Sequence, residues 1–293
     1  MNELLTIDDY KEKSFNYIIN KKKKALISVI TICKNSEKTI EKTLNSLKNQ
    51  TSKNFEYIII DGNSSDKTVE IIKNNQNIVD KLISEDDNNT ADALNKGISI
   101  SEGELIFWLA SDDWIDSNII RIFEENYNKN KDNSFYYGNM IMYYEDNIKT
   151  IYPKKKFSEK ILKGVPEFCY PAVLFKKKLF IENGLFSTSI KINNDFEFFL
   201  RILKKNLKFK YIENFNVNRL TGGIGEKEKF KNLYETLKIN LYYKTVSLVF
   251  IKFFIKNILY FSIIFLKDNY LNRSLKLYIK KFFYFSQKIN KND

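Results

Sequence analysis

Three apolar runs in the first half of the chain end in acidic or small polar residues, and this limits the fold more than any other feature. Residues 55–60 run into Asp61-Gly62-Asn63-Ser64-Ser65-Asp66, residues 81–83 into Ser84-Glu85-Asp86-Asp87, and residues 105–109 towards Ser111-Asp112-Asp113. Apolar runs of about 4–8 residues have the length of buried strands, and near-continuous hydrophobicity suits a sheet covered on both faces. In open α/β sheets, ligands bind just beyond the carboxyl ends of the strands. The three runs therefore put carboxylates where a ligand lies. An acidic mouth on a chain of net charge +12 calls for a cation, which a metal–diphosphate supplies.

The segments between these runs read as helices. A strand at 25–33 is followed by Ser36, a candidate cap for a helix with Ile40, Leu44 and Leu47 at spacings of three and four. A helix from Asp66 carries Val69, Ile71 and Ile72, and strand–helix alternation continues through 81–84, 91–100 and 104–109. Repeated βα order predicts an α/β fold with a mixed, mainly parallel sheet flanked by helices. Asp116 is placed to cap a helix over 117–130. Residues 135–137, 140–144 and 148–152 read as edge or antiparallel strands. The segment 153–175 holds Pro153, Pro166 and Pro171 and reads as loop-rich, and Asn194 or Asp195 precedes a helix with Phe196, Phe199, Leu200 and Leu203 on one face. Residues 1–24 form a polar or weakly helical extension closed by Lys21 to Lys24, a solvated run or a contact for anionic lipid.

Composition removes several chemistries. The chain has no histidine, so Ser-His-Asp and Cys-His hydrolases, histidine-ligated zinc and histidine acid–base catalysis are excluded. Cys33 and Cys169 are too few for a disulfide framework, which points to a reducing compartment. The first twenty residues lack the apolar core of a secretion signal. Neither a Gly-x-Gly-x-x-Gly turn nor a Gly-Lys-Ser/Thr phosphate loop is present. Carboxylates, an oxygen-bound hard metal, and Lys, Tyr or Ser remain for reaction chemistry.

An ordered set of short motifs now carries a resemblance. Ser28-Val29-Ile30-Thr31 with Asn35, then Asp61 to Thr68, resembles the opening of the family 2 glycosyltransferases. Ser84-Glu85, Asp87 and Ala91-Asp92-Ala93-Leu94-Asn95-Lys96-Gly97 are similar to a bacterial branch that builds surface polysaccharides. Gly103-Glu104, Ser111-Asp112-Asp113, Pro171 to Phe175, Gly184-Leu185-Phe186, Asp195, Phe199-Leu200-Arg201 and Gly222-Gly223 continue it in order, over about 25–225. The resemblance implies the GT-A fold and inverting transfer of a sugar from a nucleotide diphosphate, UDP-linked, to a hydroxyl of a glycan or lipid-linked acceptor.

It also implies roles. Asp113 matches the ligand for Mg²⁺ or Mn²⁺ and Asp112 the acid facing the ribose, although the first acid of the family's Asp-x-Asp motif is Ser111 here. Asp61, Asp87 and Asp92 resemble acids lining the nucleotide pocket, with Thr31, Cys33, Asn35 and Asn95 beside them. Gly62 replaces a second acid that reads the base, which moves weight to Glu85 or Asp87, and Asn89 stands where relatives carry glycine. The other reading of Asp61 and Asp66 is turn and cap chemistry. Lys96 neutralises phosphate or is a solvated helix lysine. Arg219 with Gly222-Gly223 resembles a mobile loop closing over the diphosphate, or is a plain turn. Tyr170 stands in a histidine position beside Pro171 and contacts the acceptor. Asp195 is the candidate general base; it is equally placed to cap the helix that follows, and both are compatible.

The expected organisation is an extension at 1–24, a GT-A domain at 25–240 and a basic helical tail at 241–293. Residues 240–293 carry ten Lys/Arg against Asp268 and Asp293, a local charge of +8. Over 245–266, Lys252, Lys256 and Lys267 share a narrow helical stripe with Thr245, and Phe250, Phe253, Phe254, Phe261 and Phe265 lie off it. The next segment repeats the pattern with Arg273, Lys276, Lys280 and Lys281. Burying two lysines in a spanning helix costs about 2.5–3.5 kcal/mol each on insertion scales. A helix lying on an anionic membrane avoids that, placing the protein at the inner face of the cell membrane; packing on the catalytic domain or a second copy is the other reading. Nucleic acid is not an expected partner, because the tail's aromatic residues follow helical periodicity. Beside the transferase reading stand a non-catalytic nucleotide-sugar or membrane-binding protein of the same fold and a nucleotidyltransferase.

Overall fold

The computed structural model describes residues 5–143, 149–151, 158–166, 168, 170–205, 207–220 and 228–270, with 149–151 and 264–270 at the level of the backbone. Helix α1 (Ile7–Lys11) begins on a reciprocal cap, in which Thr6 and Asp9 each accept the other's backbone N–H. After it come β1 (Tyr17–Asn20), β2 (Ile27–Cys33), α2 (Ile40–Lys48), β3 (Phe55–Asp61), α3 (Thr68–Asn74), β4 (Lys81–Ser84), α4 (Thr90–Ile100) and β5 (Leu105–Trp108). Strands β4, β3, β2 and β5 lie side by side and pair in parallel. Register puts Cys33 beside Asp61 and Asp61 beside Ser84, so the acid-bearing strand ends form one edge. The residues before Ala25, expected as a weakly helical extension, instead supply α1 and an edge strand: β1 runs antiparallel to β4.

The second half mixes directions. It holds β6 (Asp113–Ile115), α5 (Ile119–Lys129), β7 (Phe135–Tyr143), β8 (Lys149–Ile151), α6 (Ser158–Leu162), β9 (Val173–Lys176), α7 (Lys178–Asn183), α8 (Asn194–Leu203), β10 (Phe209–Leu220), α9 (Lys229–Tyr243) and α10 (Leu248–Tyr270). The sheet order is β1-β4-β3-β2-β5-β9-β7-β10-β6, with β8 attached to β7. Strand β7 is one unbroken nine-residue strand in the interior, not an edge, because β9 emerges from the proline-bearing segment and pairs with both β5 and β7. Strand β10 pairs parallel to β7, with a register shift between Tyr211 and Asn216. Gly138 allows this: a Cβ there would lie 2.1 Å from the Phe215 carbonyl oxygen.

Alternation along the strands builds two cores. In β3, Ile58 and Ile60 join the cluster on the α4 and α8 side, while Tyr57 and Ile59 join the cluster on the α2 and α5 side. Phe175, Phe180, Phe186 and Phe198 pack together in the first cluster, and Phe198 and Phe199 are core residues. Two expected caps are differently used. Helix α2 begins at Ile40 after Thr39, while the Ser36 hydroxyl lies 2.9 Å from that of Ser111. Helix α5 begins at Ile119 after Asn118, and the Asp116 carbonyl, not its carboxylate, accepts the Ile119 N–H.

Candidate active site

A cavity of about 180 Å³ opens at the carboxyl end of the sheet, and Asp113, Asp195, Arg219 and Tyr170 all line it with Ile30, Ile32 and Trp108. Four residues singled out in distant parts of the sequence thus share one space. Asp113 opens β6, whose pairing with β10 sets it opposite Arg219. Its backbone is held from two sides: the N–H donates to the Ala110 carbonyl at 3.1 Å, and the Thr43 hydroxyl of α2 donates to its carbonyl at 2.7 Å. Both carboxylate oxygens are buried without a hydrogen-bond partner. Burial drives its pKa up to about 7; Arg219 pulls downward and Asp112 pushes upward. A buried orphan carboxylate is costly.

This arrangement fits an oxygen-bound divalent cation. Asp113 offers two free carboxylate oxygens, and no cluster of three acidic, cysteine or histidine side chains exists among the described residues. One carboxylate from the protein leaves most coordination places for the oxygens of a bound molecule, the usual arrangement for Mg²⁺ with phosphates. Asp112 is half-buried next to it and outside the cavity lining.

Asp195 stands in the first turn of α8, which starts at Asn194, so it is not the capping residue. Its Oδ1 accepts the neighbouring Phe196 N–H at 2.6 Å. Burial raises its pKa to about 6, opposed by the Phe196 N–H and by Arg219. Tyr170 is buried among Phe168 and Phe199, with its edge or face against each ring. Arg219 belongs to a strand rather than a turn; Gly222 and Gly223 lie outside the described residues.

The remaining candidates lie outside the cavity lining, at the ends of β3 and β4, in and just after β2 and on α4, and are engaged with the protein itself. Asp61 accepts the Ser64 N–H at 3.0 Å, the Ser84 hydroxyl at 2.7 Å and the Ser64 hydroxyl, so the turn chemistry foreseen for it is present. Cys33 lies buried with its sulfur 3.6 Å from Asp61, and burial raises the thiol pKa. Asn35 adopts a left-handed backbone (φ 50°) and accepts the Ser65 N–H at 2.9 Å. Lys96 is neither solvated nor free: its Nζ lies 2.7 Å from Asp87 and 2.8 Å from Glu85. Asp92 accepts the Tyr10 hydroxyl at 2.5 Å, and Asn95 exchanges two hydrogen bonds with the backbone of Phe186 at 2.9 and 3.0 Å. Thr31 accepts the Tyr57 hydroxyl at 3.1 Å, turned from the cavity that Ile30 and Ile32 line. Period-two alternation along β2 already separates these neighbours, a signal that reading motifs as blocks overlooks.

As far as Tyr270, the described part of the tail is helical with one break. Lys244 ends α9 in a left-handed conformation (φ 55°), and α10 begins at Leu248. Phe250 is buried and Phe261 meets Phe230 of α9 edge-on, so part of the tail packs on the protein. Ile251, Lys252, Ile255, Lys256 and Leu259 are exposed together. Among the described residues, no helix is long and apolar enough to cross a membrane. The basic residues from Arg273 onward lie outside the described residues.

The mixed sheet with its acid-bearing carboxyl edge is the GT-A architecture. The mannosyltransferase PcManGT of Pyrobaculum calidifontis, solved with GDP-Man and Mn²⁺, superposes with a TM-score of 0.57 at 14% identity, over 80% of this chain and 68% of that one. The profile of glycosyl transferase family 2 matches residues 28–184. The chain belongs to glycosyl transferase family 2. Among relatives, the UDP-Glc:alpha-D-GlcNAc-diphosphoundecaprenol beta-1,3-glucosyltransferase WfgD of Escherichia coli is 31% identical over 185 residues, 62% of this chain and 71% of the relative. An uncharacterized glycosyltransferase of Haemophilus influenzae is 26% identical over 188 residues, 61% of this chain. The match spans 63% of that relative's length, under two thirds.

Proposed function

We propose that the protein is an inverting, metal-dependent glycosyltransferase. It moves a sugar from a UDP-linked donor to a hydroxyl of a glycan or lipid-linked acceptor in cell-surface polysaccharide synthesis. The observation that carries this reading is the convergence of Asp113, Asp195 and Arg219 on one cavity in a family 2 chain. WfgD, by its name, uses UDP-Glc and a diphosphoundecaprenol-linked sugar, which supports this donor and acceptor class.

Asp113 would hold Mg²⁺ or Mn²⁺, which when bound offsets the charge that develops on the departing diphosphate. Arg219, opposite it, adds a fixed positive charge for the same phosphates. The acceptor oxygen forms a bond to the anomeric carbon as the bond from that carbon to the phosphate oxygen breaks. UDP leaves, and the acceptor proton passes to the Asp195 carboxylate. A pKa of about 6 leaves Asp195 ionised at neutral pH yet basic enough to take that proton. Tyr170 borders the acceptor side. The exposed face of α10, with Lys252 and Lys256 among Ile251, Ile255 and Leu259, lies on an anionic membrane surface at the inner face of the cell membrane, where lipid-linked acceptors are held.

The test is donor hydrolysis and transfer by the full chain with UDP-glucose, UDP-GlcNAc and GDP-mannose, with and without Mn²⁺. Metal-dependent UDP release from a UDP-sugar is expected. Donor binding with no turnover under any condition supports the non-catalytic reading instead.

A further inference from the structure

Helix α9 reaches across to the segment that enters α8. The Glu235 carboxylate accepts three successive backbone N–H groups: Lys191 at 3.1 Å, Ile192 at 2.9 Å and Asn193 at 3.2 Å. Asn193, at the capping position of α8, makes no side-chain cap. Its amide instead donates to α9, at 2.8 Å to the Asn232 carbonyl and 3.3 Å to the buried Thr236 hydroxyl. The next residues on either side, Ile192 and Asn194, line the cavity, and so does Asp195. A helix start that gives up its own cap and is fixed from outside depends on what fixes it. Here a charged acceptor takes up consecutive N–H groups, the strong kind of backbone hydrogen bond.

We infer that Glu235 is a positioning residue for the transfer reaction, holding the Lys191–Asn193 backbone so that the Asp195 carboxylate meets the acceptor hydroxyl. This rests on Asp195 acting as the base. Glu235 is not among the residues lining the cavity, so its effect falls on turnover and not on donor affinity. Misplacement of a reacting group by about 1 Å costs on the order of 100-fold in rate.

The experiment uses full-length protein with Glu235→Ala, Glu235→Gln, Asp195→Asn and the Glu235→Ala/Asp195→Asn pair. Three quantities are read: amide hydrogen exchange at 191–193, UDP-glucose and UDP-GlcNAc affinity with Mn²⁺, and UDP release at saturating donor. Glu235→Ala should speed exchange at those amides, leave donor affinity unchanged and lower kcat by about 10–100-fold. Glu235→Gln keeps the shape and one acceptor oxygen, and should recover most of the rate. In the Asp195→Asn background, Glu235→Ala should cost nothing further, because the group it positions is already disabled. Losses that multiply in the pair, or a fall in donor affinity matching the fall in rate, overturn the inference. So does near-normal kcat for Glu235→Ala beside a disabled Asp195→Asn. Near-normal turnover of Asp195→Asn alone overturns instead the base assignment beneath it.

Discussion

Asp113 and Arg219 occupy opposing positions in the antiparallel pair of β6 and β10, at the point where both strands reach the cavity. A carboxylate stripped of hydrogen bonds and a guanidinium set across from it make a site that is charged yet incompletely neutralised. Burial raises the pKa of Asp113 and Arg219 lowers it, and burial wins.

Metal binding should therefore depend on pH. A cation needs the ionised carboxylate, and the Asp113 pKa moves from 3.8 up to about 7. Mn²⁺ affinity, measured by calorimetry in the presence of UDP, should weaken as pH falls below about 7, with one proton taken up for each metal released. For the metal-free fold the sign is opposite. The folded group holds a proton that the unfolded chain has lost between pH 3.8 and about 7, so its stabilising contribution is full at the acid end and fades as pH rises through that window. Asp113→Asn should abolish metal-dependent donor binding and flatten this part of the stability–pH curve.

Removing the opposing charge should move the same titration. Arg219→Gln takes away the influence that holds the Asp113 pKa down. The midpoint for Mn²⁺ binding should shift to higher pH, and donor affinity should fall through loss of a phosphate contact worth about 1.5–3 kcal/mol for a charged hydrogen bond. An unchanged midpoint would place Arg219 outside the electrostatics of the site.

Asp195→Asn should lower transfer by about 10²–10⁴-fold, the usual worth of a general base, with donor affinity unchanged. In the unaltered enzyme, kcat/KM should fall as pH drops below about 6, where Asp195 becomes protonated and can no longer accept the acceptor proton. Turnover of the variant within a few-fold of the parent returns Asp195 to a purely structural role.

Stability away from the site should hinge on Lys81. Its ammonium is buried between Glu56 at 3.1 Å and Glu102 at 3.0 Å, and the Glu56 side chain has no exposure at all. Lys81→Met strands the Glu56 charge and should cost about 3–5 kcal/mol in urea denaturation. Adding Glu56→Gln to that variant should recover a large part of the loss.

Attachment through α10 has its own check. Lys252→Glu with Lys256→Glu should reduce partition onto phosphatidylserine-containing vesicles by roughly 30-fold or more, since each lysine near an anionic surface contributes about 1 kcal/mol. Activity on a soluble acceptor should be untouched. Equal binding of parent and variant to neutral and anionic vesicles would remove the membrane from this reading.

The parallel half of the fold was legible because each strand is a local apolar run and each helix repeats at three and four. Strand β10 was not. Its sequence alternates Phe209, Tyr211, Phe215 and Val217 with lysine, glutamate and asparagine, residues of low strand preference, and its stability comes from lying beside β7. The acids of the cavity were legible one at a time, as strand ends and motif positions. That Asp113 faces Arg219 was not, because register between distant strands leaves no local trace. The surroundings of Lys96 were not legible for a related reason: an exposed lysine and one buried between Glu85 and Asp87 look alike until the turn after β4 is folded.

The pairing of β6 with β10 also bears on how the chain reaches its active form. Tyr10 finds Asp92 across 82 positions and Asn218 finds Trp114 across 104, whereas the βα units between them close over short stretches. Long closures cost entropy before their contacts return anything, which makes such pairings slow. The parallel strands can assemble while the ribosome is still supplying the rest, but Asp113 must wait for Arg219. A chain ending before β10 would lack both Arg219 opposite Asp113 and the core contacts of Phe215 and Val217, so cavity and second core are completed by the same late strand.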